Sequence, residues 1–310
     1  MILYRWQGTA ANFGDELNTI IWPRLLPGFF DDNPDVRFLG IGSVLDSRHP
    51  PHVLKLVAGS GYGGYEPKPR LDQNWVVHWV RGPRTAATLG LPAELALGDP
   101  AALLPLVLPL PATGGADIGF MPHFESVARG AWSQAAAMAG IVLIDPRAPP
   151  LTILNAIGRC KLVLSEALHG VIVADALRVP WIAIRPLAAV HRPKWLDWSD
   201  MMELTIRWQC LPASSVREWI DLGRIGLSHR GRLWLERHGH QLEGIESHRL
   251  VARAANAWGH AASALPQLSA TAELERCQAR MMEALGALHR EPFRGWSGMD
   301  GPQSTVVVNY

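Results

Sequence analysis

Over the first two thirds of the chain, short apolar runs alternate with stretches whose apolar positions recur at helical spacing. That alternation is the signature of an α/β fold. Strands are expected at Ile2–Trp6, Phe38–Leu45, Leu54–Ala58, Trp75–Val80 and Leu95–Gly98. A helix over Asp15–Leu26 places Leu17, Ile20, Ile21 and Leu25 on one face, and a shorter one over Thr85–Leu89 stops at Gly90. Proline and glycine then crowd Pro105–Gly115 (PLVLPLPATGG), which reads as a linker. The pattern restarts with strands at Asp117–Met121, Ile141–Ile144, Leu162–Ser165 and Trp181–Ile184, and helices near Ser126–Ala139, Pro150–Cys160 and Leu168–Leu177. After Pro193 the strand signal fades, and segments 214–225, 228–239, 246–264 and 268–289 read as helical. The last fifteen residues, WSGMDGPQSTVVVNY, read as a tail or an edge strand. The simplest organisation is an N-terminal Rossmann-like domain over 1–113, a second over 114–210, and a mostly helical extension over 211–310, the two domains facing a cleft.

Composition narrows the field. With 48% hydrophobic and 18% charged residues, the 310-residue chain has the makings of a globular core. A formal charge of +1 gives no bulk attraction to nucleic acid, so an anionic ligand must be held by a few local cations. Three widely spaced cysteines make neither a disulfide framework nor a zinc motif, which fits a reducing cytoplasm. The N-terminus turns polar within a few residues, unlike a signal peptide, and the apolar run Leu103–Leu110 is too short and proline-broken to span a bilayer.

One stretch imitates a cofactor loop. KLVAGSGYGGY holds a G-x-G-x-x-G at Gly59, Gly61 and Gly64. A dinucleotide site needs a helix to follow, yet Tyr65-Glu-Pro-Lys-Pro69 opposes one. The acidic residue wanted about 20 residues on is replaced by the cations Arg81 and Arg84. Gly59 and Gly61 therefore read either as a substrate-lining loop or as a plain turn.

Other strand ends carry chemistry. In NFGDELN, Asn12 or Asp15 can cap the first helix, with Gly14 between them at an anion-friendly helix start. Gly42 lies in a second glycine turn, Gly40-Ile-Gly-Ser43. The sharpest feature is LVLSEALHG: an apolar strand ends in Ser165 and Glu166, and His169 opens a helix that is apolar on nearly all sides and hence buried. Ligands of open α/β sheets bind at such strand ends, and a histidine there suits acid/base work. Arg81, Arg84, Arg185, Arg192 and Lys194 follow strands and suit phosphate or carboxylate groups; His123 lies just past another strand. The 13 tryptophans include candidates for sugar stacking, although most should pack in the core. His238-Gly-His240 lacks a third ligand nearby, and no metal site is expected.

Taken together and in order, NFGDELN, FLGIGSVL, the glycine loop, VRGPRTAATLG, LGDPAALLP, GFMPHF, SEALHGVIVADALRVPWIAI and HRPKWLDW resemble the polysaccharide pyruvyl transferase family, in particular its bacterial exopolysaccharide branch. The likeness covers residues 1 to about 200. It implies a fold like that of GT-B glycosyltransferases, phosphoenolpyruvate as donor substrate with no cofactor, and a sugar diol as acceptor. In this branch the acceptor is usually an oligosaccharide on a polyprenyl diphosphate carrier, which leaves room for peripheral contact with the inner membrane surface. His169 is the implied acid/base, and Glu166 or Asp15 the group that deprotonates an acceptor hydroxyl. Where the family often has Arg-Leu-His, this chain has Ala167-Leu168-His169, so Arg185 or Lys194 would replace the missing cation. The competing readings are a nucleotide-sugar glycosyltransferase of the same architecture, a non-catalytic glycan-binding protein, and a dinucleotide oxidoreductase.

Overall fold

The computed structural model describes residues 1–8, 10–109, 113–222, 228–238, 248–290 and 307–308. The first part contains β1 (Ile2–Tyr4), α1 (Phe13–Glu16), α2 (Asn18–Leu25), β2 (Val36–Leu39), β3 (Leu54–Ala58), β4 (Trp75–Trp79), α3 (Pro83–Leu89) and α4 (Leu104–Val107). It continues through β5 (Asp117–Met121), α5 (Phe124–Arg129), α6 (Trp132–Ala139), β6 (Val142–Leu143), α7 (Pro150–Gly158), β7 (Cys160–Ser165), α8 (Leu168–Ala176) and β8 (Trp181–Ile184). Last come α9 (Arg192–Met201), β9 (Trp208–Gln209), α10 (Val216–Leu222), α11 (His229–His238), α12 (His248–Ala262), α13 (Thr271–Arg290) and β10 (Val307–Val308).

The fold is α/β with parallel sheets. One sheet has the order β1-β2-β3-β4-β10 and the other β6-β5-β7-β8-β9, all pairs parallel. The central strands β3 and β4 are buried at every position, which is why they read as unbroken apolar runs rather than alternating ones. Helix α12 packs on α6 and β7 of the second sheet, whereas α13 packs against β4 of the first.

Several boundaries differ from the sequence pattern. The first helix is two, because the chain turns at Leu17. Segment 126–139 breaks at Gly130 and Ala131 into α5 and α6. Leu95–Gly98 is not a strand: a 3-10 turn at Ala93–Leu95 leads into a lone bridge between Ala96 and Val80. Helix α9 and strand β9 were not expected from the fading strand signal. Of the C-terminal tail, only β10 is described, as an edge strand beside β4; the rest lies outside the described residues, as does His240.

Two features join the sheets. Helix α8 follows β7, yet it packs on α1 and on the 3-10 turn Pro100–Leu103 from the first part of the chain. Contact on both sides explains its composition: every residue of LHGVIVADA except His169 is buried. The second feature is polar. Arg81, fully buried after β4, donates from Nε to Asp197 of α9 at 3.0 Å and from Nη1 to Ser43 at 2.8 Å. Asp197 also accepts from Thr85 N at 2.9 Å and Thr85 Oγ1 at 2.7 Å. A Cβ at Gly82 would fall 2.3 Å from the Asp197 carbonyl oxygen and 2.5 Å from its Oδ1, so Arg81, Gly82 and Thr85 all close around this one residue.

Removing one partner of a buried, hydrogen-bonded ion pair leaves a charge stranded in the interior. Asp197→Ala should therefore cost about 3–5 kcal/mol in urea unfolding. Arg84→Ala, which breaks the exposed pair with Asp200, should cost less than about 1 kcal/mol. Equal losses would show that the buried pair does not carry this junction.

Candidate active site

The parallel strands end around a cleft of about 320 Å³. Trp6 follows β1; Asn12, Gly14 and Asp15 come from the start of α1, and Gly42, Ser43 and Val44 follow β2. His123, Phe124 and Glu125 follow β5; Ala167 and His169 follow β7; His191 and Lys194 follow β8. Tyr65 and Arg48 complete the rim. Strand carboxyl ends are where open α/β sheets place ligands.

His169 sits at the base, its Nε2 3.5 Å from Oδ2 of Asp99. Asp99 is buried and caps the 3-10 turn, its Oδ1 accepting from Ala101 N at 3.0 Å. Burial alone would raise the Asp99 carboxyl, but His169, Arg81 and the Ala101 amide outweigh it and hold the group below its ordinary value. A carboxylate behind one ring nitrogen fixes the orientation of the imidazole. The other nitrogen, Nδ1, faces Gly14, where a Cβ would come within 1.9 Å. Only glycine at that position lets the first helix approach the histidine so closely.

Asp15 shares the cleft. Burial pushes its carboxyl up to about 6, against the pull of His169, the Asn12 amide and Lys194. Asn12 Nδ2 donates to its Oδ2 at 2.6 Å, and the left-handed turn at Gly42 (φ 128°) borders its other oxygen. The neighbouring Asn18 is wholly structural. Its amide donates to the carbonyls of Asp15 and Ile41 and accepts from Ile41 N and Trp22 Nε1, fastening α1 to the end of β2.

The sequence candidates divide evenly. Asn12, Gly14, Asp15, Gly42, His123, His169 and Lys194 line the cleft. Gly59, Gly61, Arg81, Arg84, Ser165, Glu166 and Arg185 are placed elsewhere. Glu166 is buried with both oxygens occupied, one accepting from His123 N at 2.9 Å and the other from Leu187 N at 3.1 Å; it clips two loops together. Ser165 Oγ donates to the carbonyl and accepts from the amide of Ala167. Arg81 is consumed by Asp197, Arg84 by Asp200, and Arg185 is exposed away from the cleft. Gly59 (φ 101°) packs against Pro100, and a Cβ at Gly61 would fall 2.3 Å from the Arg81 guanidinium. The glycine loop is thus thin to admit Arg81 and the Asp99 turn, and the same loop delivers Tyr65 to the cleft.

Asp99, Glu125, His191 and Tyr65 escaped the sequence reading. Tyr65 Oη lies 3.0 Å from His191 Nδ1, and His191 Nε2 lies 3.3 Å from Glu125 Oε2. The hydrogen bond to His191 holds Glu125 below the usual carboxylate range, with burial opposing. Burial, joined by Lys194, His191 and Arg129, pushes His123 well below the imidazole range. Lys194 also lies 5.8 Å from the centre of the Tyr65 ring. Trp6 and Phe124 give the cleft an aromatic wall, their rings 5.8 Å apart.

Two outcomes follow from this geometry. Between pH 3.8 and about 6 the folded chain keeps a proton on Asp15 that the unfolded chain has lost, so stability falls as pH rises through that window. Asp15→Asn should stabilise the protein by up to about 3 kcal/mol at pH 8 and hardly at all at pH 4. Urea unfolding at the two pH values checks it; the same gain at both would refute burial as the cause. Gly14→Ala should displace His169 and cut turnover by at least about 100-fold, with an unchanged far-UV circular dichroism spectrum.

Comparison with known proteins gives a consistent answer. Residues 68–186, which include α3, the Asp99 turn and the β7–α8 junction, match the polysaccharide pyruvyl transferase family. Over 221 residues the chain is 38% identical to the succinoglycan biosynthesis protein ExoV of Rhizobium meliloti (strain 1021), an alignment covering 69% of each chain. No solved structure matches the chain. A family match that includes the His169 strand end and a relative of this identity over two thirds of the length place the chain in the polysaccharide pyruvyl transferase family.

Proposed function

We propose that the cleft moves the pyruvyl group of phosphoenolpyruvate onto two hydroxyls of a sugar, forming a cyclic ketal during exopolysaccharide synthesis. The reading rests on one arrangement above others: an imidazole backed by a buried carboxylate, facing a second buried carboxyl of raised pKa, in a cleft that also holds a lysine.

The chemistry assigns these groups in turn. His169, held in place by Asp99, gives a proton to the methylene carbon of the enol phosphate, leaving C2 electron-poor. One sugar hydroxyl adds to C2 as Asp15 takes its proton. The C2–O bond to phosphate then breaks, the phosphate leaving with the bonding pair. The second hydroxyl adds to C2 and passes its proton to His169, which had given one up, closing the ketal. Phosphoenolpyruvate plus diol becomes ketal plus inorganic phosphate, with no change of oxidation state and so no redox cofactor. Lys194 is the cation for the donor's phosphate or carboxylate, and of the two suggested stand-ins for the arginine missing at Ala167 it is the one in the cleft. Trp6 and Phe124 offer faces for a sugar ring.

On this reading residues 1–113 and 114–210 are two Rossmann-like domains facing each other, as in GT-B enzymes, with the 211–310 helices packed behind. The acceptor is an oligosaccharide on a polyprenyl diphosphate carrier, met by a cytoplasmic protein at the inner membrane surface. Among the described residues no helix is long and apolar enough to cross a membrane, so such contact would be peripheral.

The test is incubation of the full chain with phosphoenolpyruvate and lipid-linked oligosaccharide extract, following phosphate release and pyruvylation by mass spectrometry. His169→Ala should lower kcat by about 100-fold or more. Asp99→Asn should lower it less and shift the pH profile. Lys194→Ala should chiefly raise KM for phosphoenolpyruvate. Turnover with nucleotide sugars and none with phosphoenolpyruvate would replace this reading with a glycosyltransferase.

A further inference from the structure

His123, Glu125 and His191 turn one atom each toward a common point at the rim of the cleft, all within 4.8 Å of one another. They come from two strand ends, β5 and β8, so no spacing motif announces them. We infer that these three side chains form a binding site for one divalent transition-metal ion, with zinc the best match to the donor set.

The observations behind this are independent of the donor and acceptor proposed above. His123 is buried to 5% exposure, and its Nδ1 has no hydrogen-bond partner. A polar atom left unsatisfied at that depth is unfavourable unless a partner occupies it. Here it lies 4.0 Å from Glu125 Oε2, on the side of the cluster. Glu125 supplies the negative charge; its Oε2 also lies 3.2 Å from Arg129. His191 Nε2 lies 3.3 Å from Glu125 Oε2. Donors about 2.0–2.1 Å from a tetrahedral zinc sit roughly 3.4 Å apart, so the 3.3 and 4.0 Å separations need only small rotations to close on an ion.

The surroundings have the form of a metal site as well. Tyr65 Oη meets the remaining nitrogen of His191 at 3.0 Å, the outer contact that fixes which nitrogen is free to ligate. Two histidines and one glutamate are a three-ligand set that leaves a coordination position open. All three residues line the cleft that holds His169 and Lys194, so that position is available to an anionic oxygen of a bound substrate.

The probe is Co²⁺ added alone to chelator-treated, full-length protein, read by visible absorption and by calorimetry. One equivalent should bind with a d–d band of low-symmetry coordination and be displaced by Zn²⁺. Glu125→Gln and His191→Asn should each weaken binding by about 100-fold or more, and Tyr65→Phe by about 10-fold. Asp15→Asn, in the same cleft but outside the trio, should leave Co²⁺ affinity unchanged. Circular dichroism reports whether each variant is folded, and the wild-type titration needs no variant. No Co²⁺ binding to the wild type would overturn the inference, as would binding that survives both ligand substitutions. Phosphate-induced thermal stabilisation lost in Glu125→Gln and His191→Asn, without any Co²⁺ band, would make the trio an anion site instead. None of these readouts involves phosphoenolpyruvate, so failure here and failure of the transfer reaction are separable.

Discussion

The carboxylate of Asp197 is the constraint on which the rest of the molecule depends. It lies on α9, just after the second sheet's β8, yet its partners are Arg81 and Thr85, just after the first sheet's β4. A buried guanidinium–carboxylate pair has no inexpensive alternative, since separating the partners strands both charges away from water. The cleft is lined by residues that follow β8 as well, and its Lys194 is one turn before Asp197 on α9. The junction that joins the sheets thus also fixes where a cleft cation stands. Helix α8 adds the apolar part of the same junction, and His169 in its first turn is the residue left unburied.

Several features that look costly in isolation become intelligible together. Asp15 is a carboxyl buried to 6% exposure and raised to about 6, and Asp99 is a buried anion whose Oδ2 has no conventional hydrogen bond. Both surround His169, one on either side of the ring's reach. A fold selected for stability alone would replace these acids with apolar groups of similar size, since buried charges seldom add net stability. Their presence makes the base of the cleft a place where protons are held on groups of unlike affinity. Such a separation of environments is what acid/base chemistry near neutral pH requires.

What the sequence made legible, and what it hid, follows from locality. Parallel strands buried on both faces leave continuous apolar runs, so β3, β4, β7 and β8 were readable within a residue or two. The strand-end histidine and the NFGDELN turn were readable because a strand, a turn and a helix start occupy one short segment. Arg81 was read as a ligand cation because its partner is 116 residues away and buried charge leaves no local trace. The glycine loop was rightly separated from a dinucleotide motif, but its purpose lies in the Arg81 side chain and Pro100, which no local pattern connects to it. Asp99 and His191 stood inside quoted motifs and were passed over, since only the packing of α8 and the β8 loop gives them neighbours. Helix α9 escaped for a different reason: an Arg-Pro-Lys start and two wholly buried tryptophans do not make a conventional amphipathic stripe.

On the proposed function, the alanine at position 167, where the family resemblance implies an arginine, bears on how charge is supplied. An arginine at a helix start brings a fixed, permanently charged fork to the base of the cleft. Here that wall is a methyl group, and on the proposed function positive charge comes from the rim through Lys194, whose ammonium lies 5.8 Å from the centre of the Tyr65 ring. A point charge on a flexible chain constrains a phosphate less than a bidentate fork does. A metal ion at His123, Glu125 and His191 would restore what Ala167 gives up, namely a rigid centre of positive charge with directional ligation. The same ion would lie near Lys194, and two cations tolerate each other only when an anion comes between them. That arrangement favours a doubly charged phosphate over a neutral sugar at the rim, and leaves the aromatic wall of Trp6 and Phe124 to the acceptor.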